Sequence, residues 1–380
     1  MGKIFYLGYY DIPENKKENR NIALAATNKM TYIVSTLDKL GYEVEVVSAS
    51  ATQNSEGYPP KSIKLGKNSK LVLFKTLPSG NKWNRIKSVF YSHFQLLKYL
   101  LTVLQKEDKV IVYHSVAYAN IVRWAKIIKN FKLVLEVEEI YSDVNGNKRE
   151  RRKEYKLFRY ADAFIFPTEL LNKKLNVECK PYSIIYGTYQ VEKNRKCKFD
   201  DRKIHCIYAG TLDSRKGGAE AAISAATKLN SDYHIHILGF GNEEEKHKIE
   251  NNIMELSKKY DCKVTYDGLL SGEEYIKFVQ CCDIGLSTQD PTAEFNDTSF
   301  PSKILSYMAN GLRVVSVRIP VIECSAINKY ISYYSKQEPE EIAKAIKRVN
   351  LSEPYDSRKV ILELDLKFQK DIKKLMEKEI

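Results

Sequence analysis

Short apolar runs alternate along the whole chain with longer stretches in which apolar residues recur at helical spacing. In the first half the runs predict strands at Ile4–Leu7, Glu43–Val47, Leu71–Phe74, Val110–Tyr113, Leu133–Val137, Ala163–Phe166 and Ser183–Ile185, with helices between them such as Ile22–Leu40 and Ile121–Lys129. The pattern restarts with strands at Ile204–Tyr208, His234–Leu238, Val264–Tyr266, Ile284–Ser287 and Val314–Val317. Helices are expected near Ala219–Leu229, Glu243–Lys259, Gly272–Val279 and Pro301–Asn310. Strands alternating with helices predict parallel sheets and an α/β fold, here two doubly wound, Rossmann-like sheets in tandem. The polar stretch Val191–Lys203 reads as the linker, which sets domains at residues 1–190 and 200–350 and a terminal helix at 355–380. In such folds ligands lie at the C-terminal ends of strands.

One segment at such an end carries chemistry. Glu294–Gly311, EFNDTSFPSKILSYMANG, follows an apolar strand and opens a helix with Pro301 near its first turn. Thr298 or Ser299 stands where an N-cap belongs, Ile304, Leu305, Tyr307 and Met308 face inward, and Gly311 is a C′ glycine. Hydroxyl residues, backbone N–H groups and a nearby lysine at a helix start suit a phosphate ester.

Composition narrows the classes. A chain of 380 residues should build about two domains. With 43% hydrophobic and 29% charged residues it is globular, and no window reaches the ~20 apolar residues of a membrane-spanning helix. The start, MGKIFYLGYYDIPEN, lacks the apolar core and cleavage site of a secretion signal. Seven cysteines without a C-x-x-C pair suit buried thiols in a reducing compartment, so a cytoplasmic location is expected. Charge is divided unevenly. Residues 1–190 carry 31 Lys and Arg against 18 Asp and Glu, whereas the second half carries 30 of each, so the net +13 belongs to the first half.

Four loops of the second half fall at strand ends. In Tyr208–Gly218, YAGTLDSRKGG, Gly210 allows close backbone approach and Lys216 at a helix start can neutralise a diphosphate. Gly239-Phe240-Gly241-Asn242 is a weak signal alone and reads equally as a tight strand-to-helix turn. Asp267-Gly268-Leu269-Leu270 offers backbone groups to a base edge, and the segment 294–311 is the fourth. A scatter of ordinary turns would seldom place glycine and lysine in this way at successive strand ends.

The order AGTLDSRKGG, ILGFGNEEE, YDGLL, CCDIGLS, FPSKILSYMANGLRVVS resembles the donor domain of GT-B glycosyltransferases, in particular the retaining family 4 (group 1) and its capsule and exopolysaccharide relatives. The resemblance spans nearly all of residues 204–349 and is looser over 1–190. It implies two Rossmann-like domains facing a cleft, a nucleotide sugar of UDP type held by 200–350, an acceptor held by 1–190, and a last helix at 355–380 crossing back to the first domain. Carried over by position, Gly210, Thr211, Arg215 and Lys216 form the first donor loop, Gly239, Phe240 and Gly241 the second, and Leu269 and Leu270 the base contact. Glu294, Asn296, Asp297, Thr298, Ser299, Phe300, Lys303 and Ser306 form the last. Thr211 replaces the family's arginine, with Arg215 as its candidate substitute, and Thr298 and Ser306 replace its two glutamates, with Lys303 placed near the phosphates.

As a sugar leaves a nucleoside diphosphate the leaving oxygens gain charge, which Lys216, Lys303 and the N–H groups at Thr298–Phe300 would stabilise. No Asp-x-Asp stands at a strand end, so no metal is expected there and no cofactor beyond the nucleotide-sugar co-substrate. In the retaining mechanism that the resemblance implies, the donor phosphate helps remove the acceptor proton.

The resemblance also points to the first half. Gly8 ends the first strand, where relatives place a flexible loop, and His114 ends Val110–Tyr113, where relatives carry a histidine touching the sugar. Glu136 and Glu138 share a strand face by alternation, and Glu139 at the exit is the candidate for bonding acceptor or donor hydroxyls. Asn28 and Lys29 on the first helix are weaker candidates.

The basic excess has three readings. Nucleic-acid binding would need a recognised module, and none is visible. A lysine-rich solvated surface would explain it blandly. An anionic membrane surface fits Lys82-Trp83-Asn84-Arg85-Ile86-Lys87, which leads into Val89, Phe90, Phe94, Leu97 and Leu101, and Lys148–Arg159 with KRERRKEYKLFR. The expectation is a cytoplasmic, peripherally membrane-associated glycosyltransferase acting on a glycan or lipid-linked acceptor of a surface polysaccharide. A nucleotide-sugar epimerase would need acid/base groups around the donor loops that the second half lacks. A non-catalytic nucleotide-sugar-binding partner of another transferase is the alternative of a different class, and a dinucleotide oxidoreductase would rest on GFGNEE alone.

Overall fold

The computed structural model describes residues 2–378 apart from Lys216, Glu294, Phe295 and Asp297, and leaves out the side chains of Val144 and Asn145. Two compact units result. Unit 1 holds Met1–Pro167, Leu171–Thr188 and Lys367–Ile380, and unit 2 holds Thr168–Leu170 and Tyr189–Leu366.

Unit 1 is built on eight strands: β1 (Lys3–Leu7), β2 (Glu43–Ser48), β3 (Lys61–Lys64), β4 (Ser69–Leu73), β5 (Lys109–Tyr113), β6 (Lys132–Glu136), β7 (Ala163–Phe166) and β8 (Tyr182–Ile184). They lie in the order β3-β4-β2-β1-β5-β6-β7-β8, parallel except for β3, which is antiparallel to β4. The central strands read as continuous apolar runs because both sheet faces are covered. On one face Leu96 and Leu100 of the helix Lys82–Val103 and Val122 and Ala125 of Val116–Lys129 join Val110, Val112, Leu133 and Leu135 in the core.

Unit 2 holds β9 (Ile204–Thr211), β10 (Tyr233–Phe240), β11 (Lys263–Gly268), β12 (Ile284–Ser287), β13 (Arg313–Val317) and β14 (Ile331–Tyr334), all parallel, in the order β11-β10-β9-β12-β13-β14. Strand order reverses between β9 and β12, and in unit 1 between β1 and β5. A reversal of this kind opens a crevice outside the strand ends, where ligands bind in doubly wound sheets.

The structure corrects several local expectations. The helix after Pro301 is Lys303–Ala309, its N-cap is Ser302 in helical conformation, and no side chain caps it, so neither Thr298 nor Ser299 has that role. Gly311 does lie in the left-handed region, at φ +93°. Its N–H donates to Met308 O and that of Leu312 to Tyr307 O, each at 3.0 Å, the paired bonds of a Schellman end. The segment 191–203, read as the linker, belongs to unit 2 and is bonded to it at several points. Glu192 N–H donates to Ala309 O at 3.2 Å, Arg195 N–H to Gln280 Oε1 at 2.9 Å, and Gln280 Nε2 to Lys193 O at 3.0 Å. The last helix runs Ser357–Glu377, and its part from Lys367 counts to unit 1, where Phe368 stacks on Tyr32 at 5.9 Å.

Candidate functional site

β9 and β10 stay paired to their last residues. Gly239 pairs with Gly210 and Phe240 with Thr211. Gly239 has φ +156°, and a Cβ there would lie 1.8 Å from the carbonyl oxygen of Gly210, so the strands can meet this closely only over glycine. Beyond them lies a pocket of about 200 Å³ lined by Gly210, Gly239, Phe240, Leu269 and Leu270 together with Ala209, Leu238 and Tyr275. Five of these residues come from three separate donor loops expected from the sequence. Phe240 and Leu269 are exposed to 55% and 66%, apolar surface suited to the face of a flat ring.

Lys303 reaches this place from the neighbouring helix. Its Nζ lies 3.9 Å from the centroid of the Tyr208 ring and 3.1 Å from where a Cβ of Gly210 would be. Tyr208 is held by a hydrogen bond from its hydroxyl to Thr211 O at 3.1 Å, and burial pushes its pKa up to about 12, so it stays a neutral ring under the ammonium. Tyr307 anchors the same helix. Its buried hydroxyl accepts from Ala209 N–H at 2.8 Å and donates to Leu286 O at 3.4 Å, tying the helix to the ends of β9 and β12. The ring rests where a Cβ of Gly285 would lie 2.3 Å away. Ser306 stands 3.4 Å from the Tyr275 hydroxyl.

Other expected residues are placed differently. Arg215 turns to solvent and donates to Asp213 at 2.8 Å and 3.0 Å. Gly241 precedes the helix Glu243–Ser257, whose N-terminus is occupied by its own capping box: Glu245 N–H donates to Asn242 Oδ1 at 2.8 Å, and Asn242 N–H to Glu245 Oε2 at 2.9 Å. With Glu243, Glu244 and Glu245 in its first turn, that end does not attract a phosphate. Asn296 is buried and donates to Asp290 O at 2.6 Å, Thr298 O accepts from the Thr168 hydroxyl at 3.1 Å, Phe300 is buried and Ser299 partly exposed. Lys216, Glu294 and Asp297 lie outside the described residues.

In unit 1 the expected residues gather near the reversal between β1 and β5. Gly8 follows β1, and a Cβ there would lie 2.6 Å from the Met30 side chain. His114 follows β5, buried between Tyr141 and Phe158 at 5.3 Å and 5.1 Å, with Glu154 Oε1 3.5 Å from Nε2. Burial pushes its pKa down to about 4, which keeps the ring neutral. Glu139 is raised by burial and then by Glu138 and Glu154.

The sequence singles out Glu139 at the strand exit, whereas among the carboxylates of the described residues it is Glu136 that the fold perturbs most. Glu136, the last residue of β6, is fully buried, accepts from the Tyr6 hydroxyl, and is raised to about 8 by burial and then by Glu138. Glu138 in turn accepts from Lys29 Nζ at 2.5 Å, and Lys29 also donates to Ile185 O at 3.1 Å. The run Leu135-Glu136-Val137-Glu138-Glu139 was the available signal. Among the described residues one set of side chains, His205, His234 and His236, is close enough to hold a metal ion, and it lies near the starts of β9 and β10.

The comparisons with known proteins bear on this geometry. Residues 203–350 match the family model described as glycosyl transferases group 1, a span containing all of β9 to β14 and the pocket. No curated protein matches the sequence. Among solved structures the chain is similar to the apo structure of OtsA, at 14% identity and TM-score 0.68 with 100% of each chain covered. It is similar to a structure described as trehalose-6-phosphate from E. coli bound with UDP-2-fluoro glucose, at 13% and 0.68 with 100% and 99% covered. A third is Anabaena Alr3699/HepE in complex with UDP and glucose, at 13% and 0.62 with 98% and 99% covered. At such identities the likeness shows the fold, two parallel-sheet Rossmann-like domains of GT-B type. Residues 203–350 thus match the glycosyl transferases group 1 model within a GT-B fold, which supports a glycosyltransferase.

Proposed function

We propose that the protein transfers a sugar, with retention, from a UDP-sugar to a glycan or lipid-linked acceptor in the synthesis of a surface polysaccharide, and that the donor site needs no metal. The observation that carries this reading is the pocket at the β9–β10 ends, inside the matched domain, with the Lys303 ammonium beside Gly210. The neighbours described with UDP-2-fluoro glucose and with UDP and glucose support uracil as the base. In this reading the base lies against Phe240 and Leu269, and the diphosphate reaches Lys303 and Lys216. The bond from the sugar's anomeric carbon to the diphosphate oxygen breaks, and that oxygen keeps the electron pair, stabilised by the two lysines. The acceptor oxygen bonds to the anomeric carbon on the same face, and its proton passes to the leaving phosphate. Unit 1 would hold the acceptor near Gly8, His114 and Glu139, where the buried Glu136–Tyr6 pair and the Lys29–Glu138 pair keep the strand ends in place.

Thermal unfolding with UDP, GDP, CMP and dTDP, each with and without EDTA, tests the reading. UDP alone should stabilise, by about 2.7 kcal/mol at ~100 times its dissociation constant. The increment should be the same in EDTA and absent in Lys216→Ala. No shift with any nucleotide would sink the proposal. UDP-sugar binding without transfer or hydrolysis would make the protein a non-catalytic binding partner.

A membrane-surface acceptor is supported by the helix Lys82–Val103. It exposes Trp83, Ile86, Phe90 and Phe94 along one side, Trp83 to 75%, next to Lys82, Arg85 and Lys87. No helix among the described residues is long and apolar enough to cross a membrane. Vesicles containing anionic phospholipid should sediment the wild type and leave the Trp83→Glu/Phe90→Glu variant in the supernatant. Equal sedimentation of the two would exclude this face.

A further inference from the structure

We propose that His205, His234 and His236 form a binding site for a divalent transition-metal ion of zinc type at the N-terminal edge of the unit 2 sheet, separate from the donor pocket.

The fold itself brings the three rings together. β9 and β10 pair with His234 opposite His205, and His236, two residues further along β10, faces the same way. All three are buried. One ring nitrogen of each can be chosen so that the three atoms lie within 4.8 Å of one another. His205 Nδ1 and His236 Nε2 are 2.9 Å apart. Tetrahedral coordination with metal–nitrogen bonds of ~2.0–2.1 Å needs about 3.3 Å between ligands, a small opening from that distance.

Hydrogen bonds to the outer nitrogens decide which atoms point inward. His205 Nε2 lies 2.8 Å from Asp201 Oδ1, and His236 Nδ1 lies 3.0 Å from Asp267 Oδ2. A carboxylate only accepts, so both of these nitrogens carry the proton. The Thr265 hydroxyl donates to Asp267 Oδ2 at 2.8 Å, which leaves its lone pair to accept from His234 Nε2 at 3.0 Å. Each outer nitrogen is thus a donor, and the other nitrogen of each ring is a bare lone pair. His205 Nδ1 and His236 Nε2 aim their lone pairs at one another, and His234 Nδ1 is buried with no hydrogen-bond partner.

Two lone pairs at 2.9 Å repel unless a cation joins them. A divalent ion uses all three lone pairs at once, and Asp201 and Asp267 balance its charge. Imidazoles whose second nitrogen donates to a carboxylate or hydroxyl are the usual outer arrangement of a zinc ligand set. The Phe199 ring stacks on His205 at 4.1 Å and on His236 at 5.0 Å, shielding one side. The adjoining pocket of about 480 Å³, also lined by Asp200 and Lys263, provides an entry path and room for water as fourth ligand.

The full-length chain, stripped of metal by dialysis against chelator and free of nucleotide, is titrated with zinc by calorimetry and with cobalt by visible absorption. One equivalent of zinc should bind, with cobalt bands of a four- or five-coordinate nitrogen/oxygen site and no thiolate charge-transfer band. His234→Ala and His236→Ala should abolish stoichiometric binding, Asp267→Asn should weaken it by ~10–100-fold, and His247→Ala, on an exposed helix, should leave it unchanged. Should the alanine variants fail to fold, the wild-type stoichiometry, the cobalt spectrum and Asp267→Asn still decide. No binding at one equivalent, a thiolate band, or unchanged affinity in Asp267→Asn would overturn the site, the first of these leaving a shared proton as the only bridge between the rings.

Discussion

Lys303→Ala is expected to lower kcat for sugar transfer by about 10²–10³-fold, with a much smaller change in KM for the nucleotide sugar and no loss of fold. The magnitude is that of removing one preorganised donor from a site where negative charge develops. The split follows from timing. The donor diphosphate is charged before reaction, but its leaving oxygen gains charge only as the glycosidic bond breaks, so an ammonium aimed at that oxygen acts mainly on the transition state. Lys303 is held where it can act in this way. It opens its helix, Tyr307 of the same helix is bonded to Ala209 and Leu286, and Nζ rests 3.9 Å from the Tyr208 ring centroid. Packing of a cation on an aromatic face limits its wandering and costs little on replacement, on the order of 1 kcal/mol. Initial-rate kinetics over donor concentration, with circular dichroism of the variant, check the result. A kcat within about threefold of wild type would remove Lys303 from the reaction centre.

The two parallel sheets were legible because their central strands are buried on both faces and are apolar along most of their length, as in Val110–Tyr113. Strand β3, Lys-Ser-Ile-Lys, went unread because it is a half-exposed edge whose lysines suit an edge and look like a loop. Strand β14, Ile-Ser-Tyr-Tyr, lacks the same continuous run. The strand ends were read too short at β9, β10 and β11, since Gly210, Gly239 and Gly268 suggest turns, whereas the sheet continues through them.

The candidate site divides in the same way. Glycines at strand ends and a lysine at a helix start are local signals, and the structure does gather Gly210, Gly239, Phe240, Leu269, Leu270 and Lys303 in one place. The features that escaped depend on register and distant partners. The cap moved to Ser302 while the Thr298 carbonyl is bonded by Thr168, 130 residues away. Glu136 is perturbed through its burial beside Tyr6, again 130 residues distant, while Lys29, bonded to the neighbouring Glu138, acts on it from 109 residues away along the chain from Glu138. His205 meets His236 across 31 residues only because β9 and β10 pair in one register. Periodicity within a window reports which face a residue takes. It carries no information about what stands opposite.

Register also sets the largest structural effect expected of a single methyl group. Gly239→Ala should cost unit 2 about 3 kcal/mol or more and abolish nucleotide binding. The added Cβ would lie 1.8 Å from the Gly210 carbonyl oxygen and 3.0 Å from its carbon, both backbone atoms of the paired strand, so no side chain can swing aside. Relief requires the ends of β9 and β10 to part, and Gly210, Thr211 and Phe240 move with them. Gly268→Ala separates this clash from backbone preference. It lies at φ +75° with nothing within 4 Å of an added Cβ, so only the left-handed conformation is penalised, by about 1–2 kcal/mol. Urea denaturation read two ways locates the damage. The two tryptophans, Trp83 and Trp124, both belong to unit 1, so their fluorescence reports that unit, whereas far-ultraviolet circular dichroism reports both. For Gly239→Ala the dichroism transition should start at lower urea than the fluorescence transition, and Gly268→Ala should shift it only slightly. Equal small shifts in the two variants would mean that the strand ends yield at little cost, and the close approach of Gly239 to Gly210 would then not be what shapes the donor pocket.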